Sequence, residues 1–200
     1  PMYGVVIAQV TDLDDPEELG RVKLAMPWLS DTYESWWARV VQLGAGRQRG
    51  AVWLPEVDDE VLVAFEHGDV RRPYVIGSLW NGVDTPNLGS KLFDHGAVKR
   101  RGFVSKKGHR LVFFDDDGKS GVATITADDG LRISLNQTET TIKVTSSGKI
   151  EISGTGEVSI TSNSNVTVEA TGKLDLKGSA GVSIDGGPQV AITGAVVKLN

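Results

Sequence analysis

The 200-residue sequence predicts an all-β protein in two unlike parts, a small closed barrel followed by a trimeric, intertwined β-helix needle. Three observations carry this. Short alternating apolar runs bounded by turn residues recur in the first part, an eight-residue beat of aliphatic pairs runs through the last, and nowhere is helical spacing kept for long. The chemistry divides in the same way. All five tryptophans (Trp28, Trp36, Trp37, Trp53, Trp80) and every proline but Pro188 lie in residues 1–86, and nothing aromatic follows Phe114. The expected divisions are a barrel over 1–86, a connector over 87–130 and an octad-repeat needle over 131–200.

The barrel expectation rests on six runs: Tyr3 to Thr11, Arg21 to Met26, Trp37 to Leu43, Ala51 to Leu54, Val61 to Glu66 and Tyr74 to Leu79. In the second, Val22, Leu24 and Met26 face inward while Arg21 and Lys23 face water; in the fifth, Val61, Val63 and Phe65 share one side. Five or six short strands in so few residues close most economically into a small barrel. The breaks are loop chemistry: Asp14-Asp15-Pro16, Gly44-Ala45-Gly46, Asp58-Asp59 and Gly68-Asp69.

The needle expectation comes from the pairs Ile142/Val144, Ile150/Ile152, Val158/Ile160, Val166/Val168, Leu174/Leu176, Val182/Ile184 and Val190/Ile192, whose first members step by eight. Small residues or proline keep the same beat at Gly148, Gly156, Ser164, Gly172, Ala180 and Pro188. Each octad is therefore one short strand plus one tight corner. Residues between the apolar ones are polar, so one face is buried and the other wet. One chain offers nothing to cover the bare face, and an isolated strand is not stable. Three copies wound about one axis close each layer with six aliphatic side chains inside, so the repeat predicts a homotrimer with those fourteen residues as its core.

Several ordered motifs of the first part carry a resemblance. Gly20-Arg21-Val22-Lys23-Leu24 follows an acidic Asp-Pro-Glu loop; then come Trp37-Ala38-Arg39-Val40, Leu54-Pro55-Glu56-Val57-Asp58-Asp59-Glu60-Val61, and Arg72-Pro73-Tyr74-Val75-Ile76-Gly77 through Asn81. In these the chain resembles the OB-fold of contractile-injection spikes, the family of phage baseplate assembly protein V and the valine-glycine-repeat (VgrG) spikes. The motif positions are Gly20, Arg21, Val22, Pro55, Asp59, Glu60, Val61, Pro73 and Gly77, and Asp58 stands where the family's Pro-x-x-Gly-Asp-Glu stretch has glycine. Gly108-His109-Arg110-Leu111 is similar to the stretch that precedes the needle in such spikes, which carry octad β-helices behind the OB-fold. Some relatives place glycine after valine inside each repeat, whereas here glycine sits at the corners.

Composition and motifs exclude other chemistries. With no cysteine, neither disulfides nor thiolate metal sites are available. The formal charge is −5, and from Leu131 onward six basic residues balance six acidic ones. No apolar run approaches the roughly 20 residues of a membrane span. His67, His95 and His109 are isolated, so turn or surface roles are expected and no metal or cofactor is assigned. The acidic runs Asp12/Asp14/Asp15 and Asp115-Asp116-Asp117 lack the spaced ligands of a calcium loop. Gly44 to Gly50 misses the G-x-G-x-x-G pattern and reads as a hairpin or barrel loop. No nucleophile elbow is present, so no catalytic residue is assigned and the protein is expected not to be an enzyme. Lys99-Arg100-Arg101 and Lys106-Lys107 are the best case for nucleic-acid binding, but Phe103 is their one interleaved aromatic and the acid excess opposes it.

The resemblance implies the central spike of a phage-tail-like contractile injection system, assembled in the cytoplasm on baseplate hub and tube proteins and delivered outward on contraction to puncture a target membrane. Nucleic acid is not among the expected partners. The sequence stops at Val197-Lys198-Leu199-Asn200 in repeat-like character, and the expectation is a blunt end covered by a PAAR-type tip. Pro1 ahead of Met2 reads as a trimmed start with a domain upstream. The competing readings are a trimeric β-helical receptor-binding fibre or adhesin and, more distantly, an OB-fold nucleic-acid-binding protein.

Overall fold

The computed structural model describes residues 1–116 and 118–198; Asp117 of the acidic run and Leu199 and Asn200 of the chain end lie outside the described residues. The chain divides into two units, Pro1–Lys149 and Ile150–Asn200.

The first unit is all-β. It begins with β1 (Val6–Asp12), β2 (Arg21–Ala25) and β3 (Ala38–Val40), then a short hairpin of β4 (Ala45–Gly46) and β5 (Arg49–Gly50), then β6 (Glu60–Phe65) and β7 (Pro73–Ser78). A second short hairpin, β8 (Phe93–Asp94) with β9 (Ala97–Val98), leads to β10 (Arg100–Val104), β11 (Arg110–Asp116), β12 (Lys119–Ile125), β13 (Leu131–Asn136) and β14 (Thr141–Ser146).

Five of these strands close into a barrel in the order β1-β2-β3-β7-β6, antiparallel throughout except for the parallel pair β3–β7. Alternation decides which side chains enter. Val22, Leu24 and Met26 are fully buried, as are Val61 and Val63, and they meet Ala8, Val10, Ala38, Phe65 and Val75 in one core. Each large aliphatic side chain so enclosed contributes about 1.5–3 kcal/mol. Pairing of Leu62 with Gly77 and of Val63 with Val75 leaves Ile76 as an extra residue, a bulge that bends β7 as a closed barrel requires.

The expected strand at Ala51 to Leu54 does not form. Gln42 takes the place of a neighbouring strand there: Trp53 donates its backbone N–H to Gln42 Oε1 at 2.9 Å, and Gln42 Nε2 donates to the Trp53 carbonyl at 3.3 Å. With its backbone satisfied by a side chain, the segment needs no ladder. Gly44 to Gly50 is a hairpin. Asp58 has φ +75°, the left-handed region that glycine enters without a Cβ penalty and that aspartate tolerates, so the aspartate keeps the turn into β6.

The remaining long strands form one antiparallel sheet, β10-β11-β12-β13-β14, with β14 at its edge. It runs from Arg100 to Ser146 and so joins strands of the connector to the first octad pair. Cross-strand partners share a face. The row Gly102, Val112, Ala123, Ser134, Lys143 includes the buried Val112 and Ala123. The opposite face carries Phe103, Leu111, Thr124, Ile133, Val144 in one row and Arg101, Phe113, Val122, Leu135, Ile142 in the next. Phe103, Phe113, Ile133, Leu135, Ile142 and Val144 are all exposed.

The second unit contains no strand ladder among its described residues, and every described residue in it is exposed. Its backbone nonetheless repeats. Gly181 donates its N–H to the Gly178 carbonyl at 3.2 Å and Gln189 to Gly186 at 3.3 Å, the same corner turned twice at a spacing of eight. From Ile150/Ile152 to Val190/Ile192 the first member of each pair is 50–58% exposed and the second 66–79%, so each octad repeats the same local geometry.

Candidate assembly surface

The motif residues of the barrel are its scaffold. Gly20, with φ +69°, turns the acidic loop back into β2, and Leu54 packs 3.4 Å from where a Cβ would stand on it. Arg21 then closes on Asp15, whose side chain is only 3% exposed: Nη2 donates to Oδ1 at 2.6 Å and Nε to Oδ2 at 3.0 Å. The same carboxylate accepts the backbone N–H groups of Glu17, Leu19 and Arg21. Val22 enters the core beside it. Asp59 Oδ2 accepts the Glu56 N–H at 2.8 Å across the turn holding Pro55, Glu60 pairs with Gln9 of β1, Val61 is buried, and Pro73 and Gly77 pair with Phe65 and Leu62. These residues hold β1, β2, β6 and β7 together, and Asp15 is the partner that reading the motif from Gly20 onward overlooks. An acid followed within six residues by Gly-Arg at a strand start is the signal that would have found it.

The Arg21 guanidinium and the three N–H donors hold the Asp15 carboxyl well below the usual carboxylate range, and the carboxylate raises Arg21 in turn. Asp69, held by Arg71, is pulled to about 2. A carboxyl whose folded pKa is depressed stabilises fully above its unfolded value and loses that contribution as pH falls toward the folded one. Barrel stability is therefore expected to fall below about pH 4. In thermal melts across that range, Asp15→Asn should be less stable than wild type at neutral pH and show a flatter acid limb. A parallel acid limb would remove Asp15 from the account.

The basic stretch spends its charge on acids. Arg100 meets Asp116 at 3.5 Å and lies over the Phe114 ring, Arg101 pairs with Asp115, and Lys106 pairs with Glu56. Asp12 accepts from Lys23 at 3.2 Å and from the Asp14 N–H. His67 and His95 occupy turns with positive φ, and His109 Nδ1 accepts the Ala127 N–H at 3.2 Å. Among the described residues no three histidine, aspartate or glutamate side chains gather where a metal ion could be held.

What remains is surface, and it is apolar. Ile142, Val144, Ile150, Ile152, Val158, Ile160, Val166, Val168, Leu174, Leu176, Val182, Ile184, Val190 and Ile192 are all at least half exposed within one chain. The fold brings none of them into a core of its own. They recur at the same two positions of each octad, and Lys173 and Asp175, which alternate with Leu174 and Leu176, pair at 2.8 Å. An aliphatic ladder of this length is far beyond the scattered exposed residues of an ordinary surface.

The described residues thus form a small closed barrel and, later in the chain, exposed aliphatic pairs that recur every eight residues. Residues 6–80 match the family model described as the type VI secretion system/phage-baseplate injector OB domain. In that domain the chain is similar to VgrG spike proteins. The type VI secretion system spike protein VgrG3 of Vibrio cholerae is 29% identical over 124 residues, 60% of this chain and 12% of that protein. VgrG1c of Pseudomonas aeruginosa, also named a type VI spike protein, is 33% identical over 89 residues, 42% of this chain and 12% of its own length. The V. cholerae protein named actin cross-linking toxin VgrG1 is 35% identical over 92 residues, 43% of this chain and 8% of that protein. The chain thus spans a small fraction of the length of the curated relatives it matches.

Proposed function

We propose that this chain is one third of the central spike of a phage-tail-like contractile injection system, a trimeric, membrane-puncturing needle that is structural and non-enzymatic. The observation that carries the reading is the uncovered octad ladder behind an injector OB domain. Three chains wound together remove the aliphatic pairs from water and give every strand a neighbour on both sides, which leaves free edges only at the ends. Such a column transmits axial load without a hinge. The barrel attaches to the baseplate hub and tube, the far end takes a PAAR-type tip, and contraction drives the assembly from the cytoplasm into a target membrane. The toxin relative is matched over so little of its length that its named activity is not carried over.

Light scattering on the full chain at micromolar concentration tests the assembly. The expected mass is three times the 21.4 kDa of one chain. A well-folded, monodisperse monomer would overturn the proposal.

A further inference from the structure

On the face of the five-stranded sheet opposite the exposed aliphatic rows, two further rows flank that of Gly102, Val112, Ala123, Ser134 and Lys143. One holds Arg100, Phe114, Gly121 and Asn136; the other holds Arg110, Ile125 and Arg132. Gly121 and Ser134 are too small to fill the surface between the larger side chains, and a cavity of about 430 Å³ remains, bordered by Leu88 and Gly89 of the linker. Its walls carry Arg100, Arg110, Lys119 and Arg132 against only Asp116 and Asp129. We propose that this cavity binds a multivalent oxyanion of the phosphate class, gripped by Arg100, Arg110 and Arg132. The site lies within the first unit and does not depend on the trimer.

The three guanidinium groups are held in place without being used up. Arg100 and Arg132 both lie over the Phe114 ring, 4.9 and 5.7 Å from its centroid, so two cations share one spot. The ring offsets their repulsion in part, and an anion beside them offsets the rest. Asp116 reaches Arg100 through Nη2 alone, at 3.5 Å, and Asp129 likewise takes Nη2 of Arg110. Arg132 has no acid partner among the described residues, where its one contact of this kind is the Phe114 ring. The Nε donors of Arg100 and Arg110 are buried and unpaired among the described residues. A buried donor without an acceptor is costly, so the cavity favours a ligand rich in acceptors. The linker steadies Arg110: Asn87 Oδ1 accepts the Gly89 N–H at 2.8 Å, Gly89 has φ +84°, and a Cβ there would stand 2.6 Å from Arg110 Nη1. A monovalent carboxylate is satisfied by one guanidinium fork, whereas a phosphate or diphosphate presents enough charge and oxygens for three. The volume is that of a small-ligand site.

Isothermal titration of the full chain with inorganic pyrophosphate tests the site. One pyrophosphate per chain should bind with a Kd below about 1 mM and raise the melting temperature, and acetate at the same ionic strength should do neither. Arg132→Gln, at an exposed position with no acid left behind, should weaken binding about tenfold or more with an unchanged circular dichroism spectrum. Arg47→Gln, the same charge change in the exposed turn between β4 and β5, should leave binding within about twofold. If Arg132→Gln folds poorly, Arg132→Lys is the second variant: it keeps the charge, loses the fork and should still weaken binding severalfold. Phosphatidylcholine vesicles containing phosphatidic acid distinguish the source of the phosphate. Vesicle binding that pyrophosphate displaces assigns a lipid headgroup, and pyrophosphate binding without vesicle binding assigns a soluble phosphate ligand; either supports the site. No saturable binding of pyrophosphate, acetate bound as tightly, equal losses in Arg47→Gln and Arg132→Gln, or binding to vesicles alone overturns it.

Discussion

Deleting Ser159 alone is expected to damage the protein more than deleting the whole octad from Gly156 to Asn163. The larger deletion joins Thr155 to Ser164 and keeps every later aliphatic pair in phase, so the trimer should survive with one layer fewer. The smaller one sets Val158 directly next to Ile160. Consecutive side chains on a strand point to opposite faces, so the two can no longer share the interior, and the layer must bulge or expose aliphatic surface. The fault occurs once in each of three chains. At ~1.5–3 kcal/mol per side chain left in water, the loss is about 5–9 kcal/mol per trimer. Thermal unfolding of the two variants decides it: equal melting, or a worse-folded octad deletion, would show that eight residues are not the structural unit.

Val166→Asp is expected to abolish the trimer at neutral pH, whereas Thr167→Asp, one residue along on the outer face, should change stability by no more than about 0.5 kcal/mol. In a three-chain layer the first substitution brings three carboxylates toward one axis. Each costs several kcal/mol to bury without a partner, and they repel one another, so about 10 kcal/mol or more per trimer is at stake. Burial and mutual repulsion both raise their pKa values, and mild acidification should therefore recover part of the assembly. Light scattering at several pH values reads both effects. A Val166→Asp protein that remains trimeric at neutral pH would place this residue outside the core.

The barrel was legible where period-2 alternation met a closed core: Val22, Leu24 and Met26 went inward together, as did Val61, Val63 and Phe65. It was less legible where side chains did the work of backbone. Nothing local in Ala51 to Leu54 reveals that Gln42, nine residues before it, satisfies Trp53. The bulge at Ile76 depends on the closure of the whole barrel, which no short window contains. The sheet from Arg100 to Ser146 was hidden for another reason. In β11, Leu111-Val112-Phe113-Phe114 is apolar on both faces, since Val112 is buried within the sheet's own unit while Phe113 faces out. Such a run has no alternation to read. The octads were plain in sequence because their pattern is a repeat of eight residues rather than a set of contacts distant along the chain. The Asp15–Arg21 pair was half legible: Gly20-Arg21 marked the place, and only the fold showed which acid it served.

A segment with no interior of its own also has no folding route of its own. The barrel buries its core with residues supplied by one chain and can form as soon as that chain exists. Residues 147–198, exposed throughout, gain nothing from becoming ordered until other copies arrive. In the proposed trimer their folding is a concentration-dependent, multi-chain event, and the melting temperature of the repeat is expected to rise with protein concentration while that of the barrel does not. Separation of the chains of such a trimer would require many rungs to open together, so slow dissociation is expected even where the equilibrium is modest, with heating and cooling traces that do not superimpose. The durability of the repeat is then set by the height of a barrier rather than by the depth of a well.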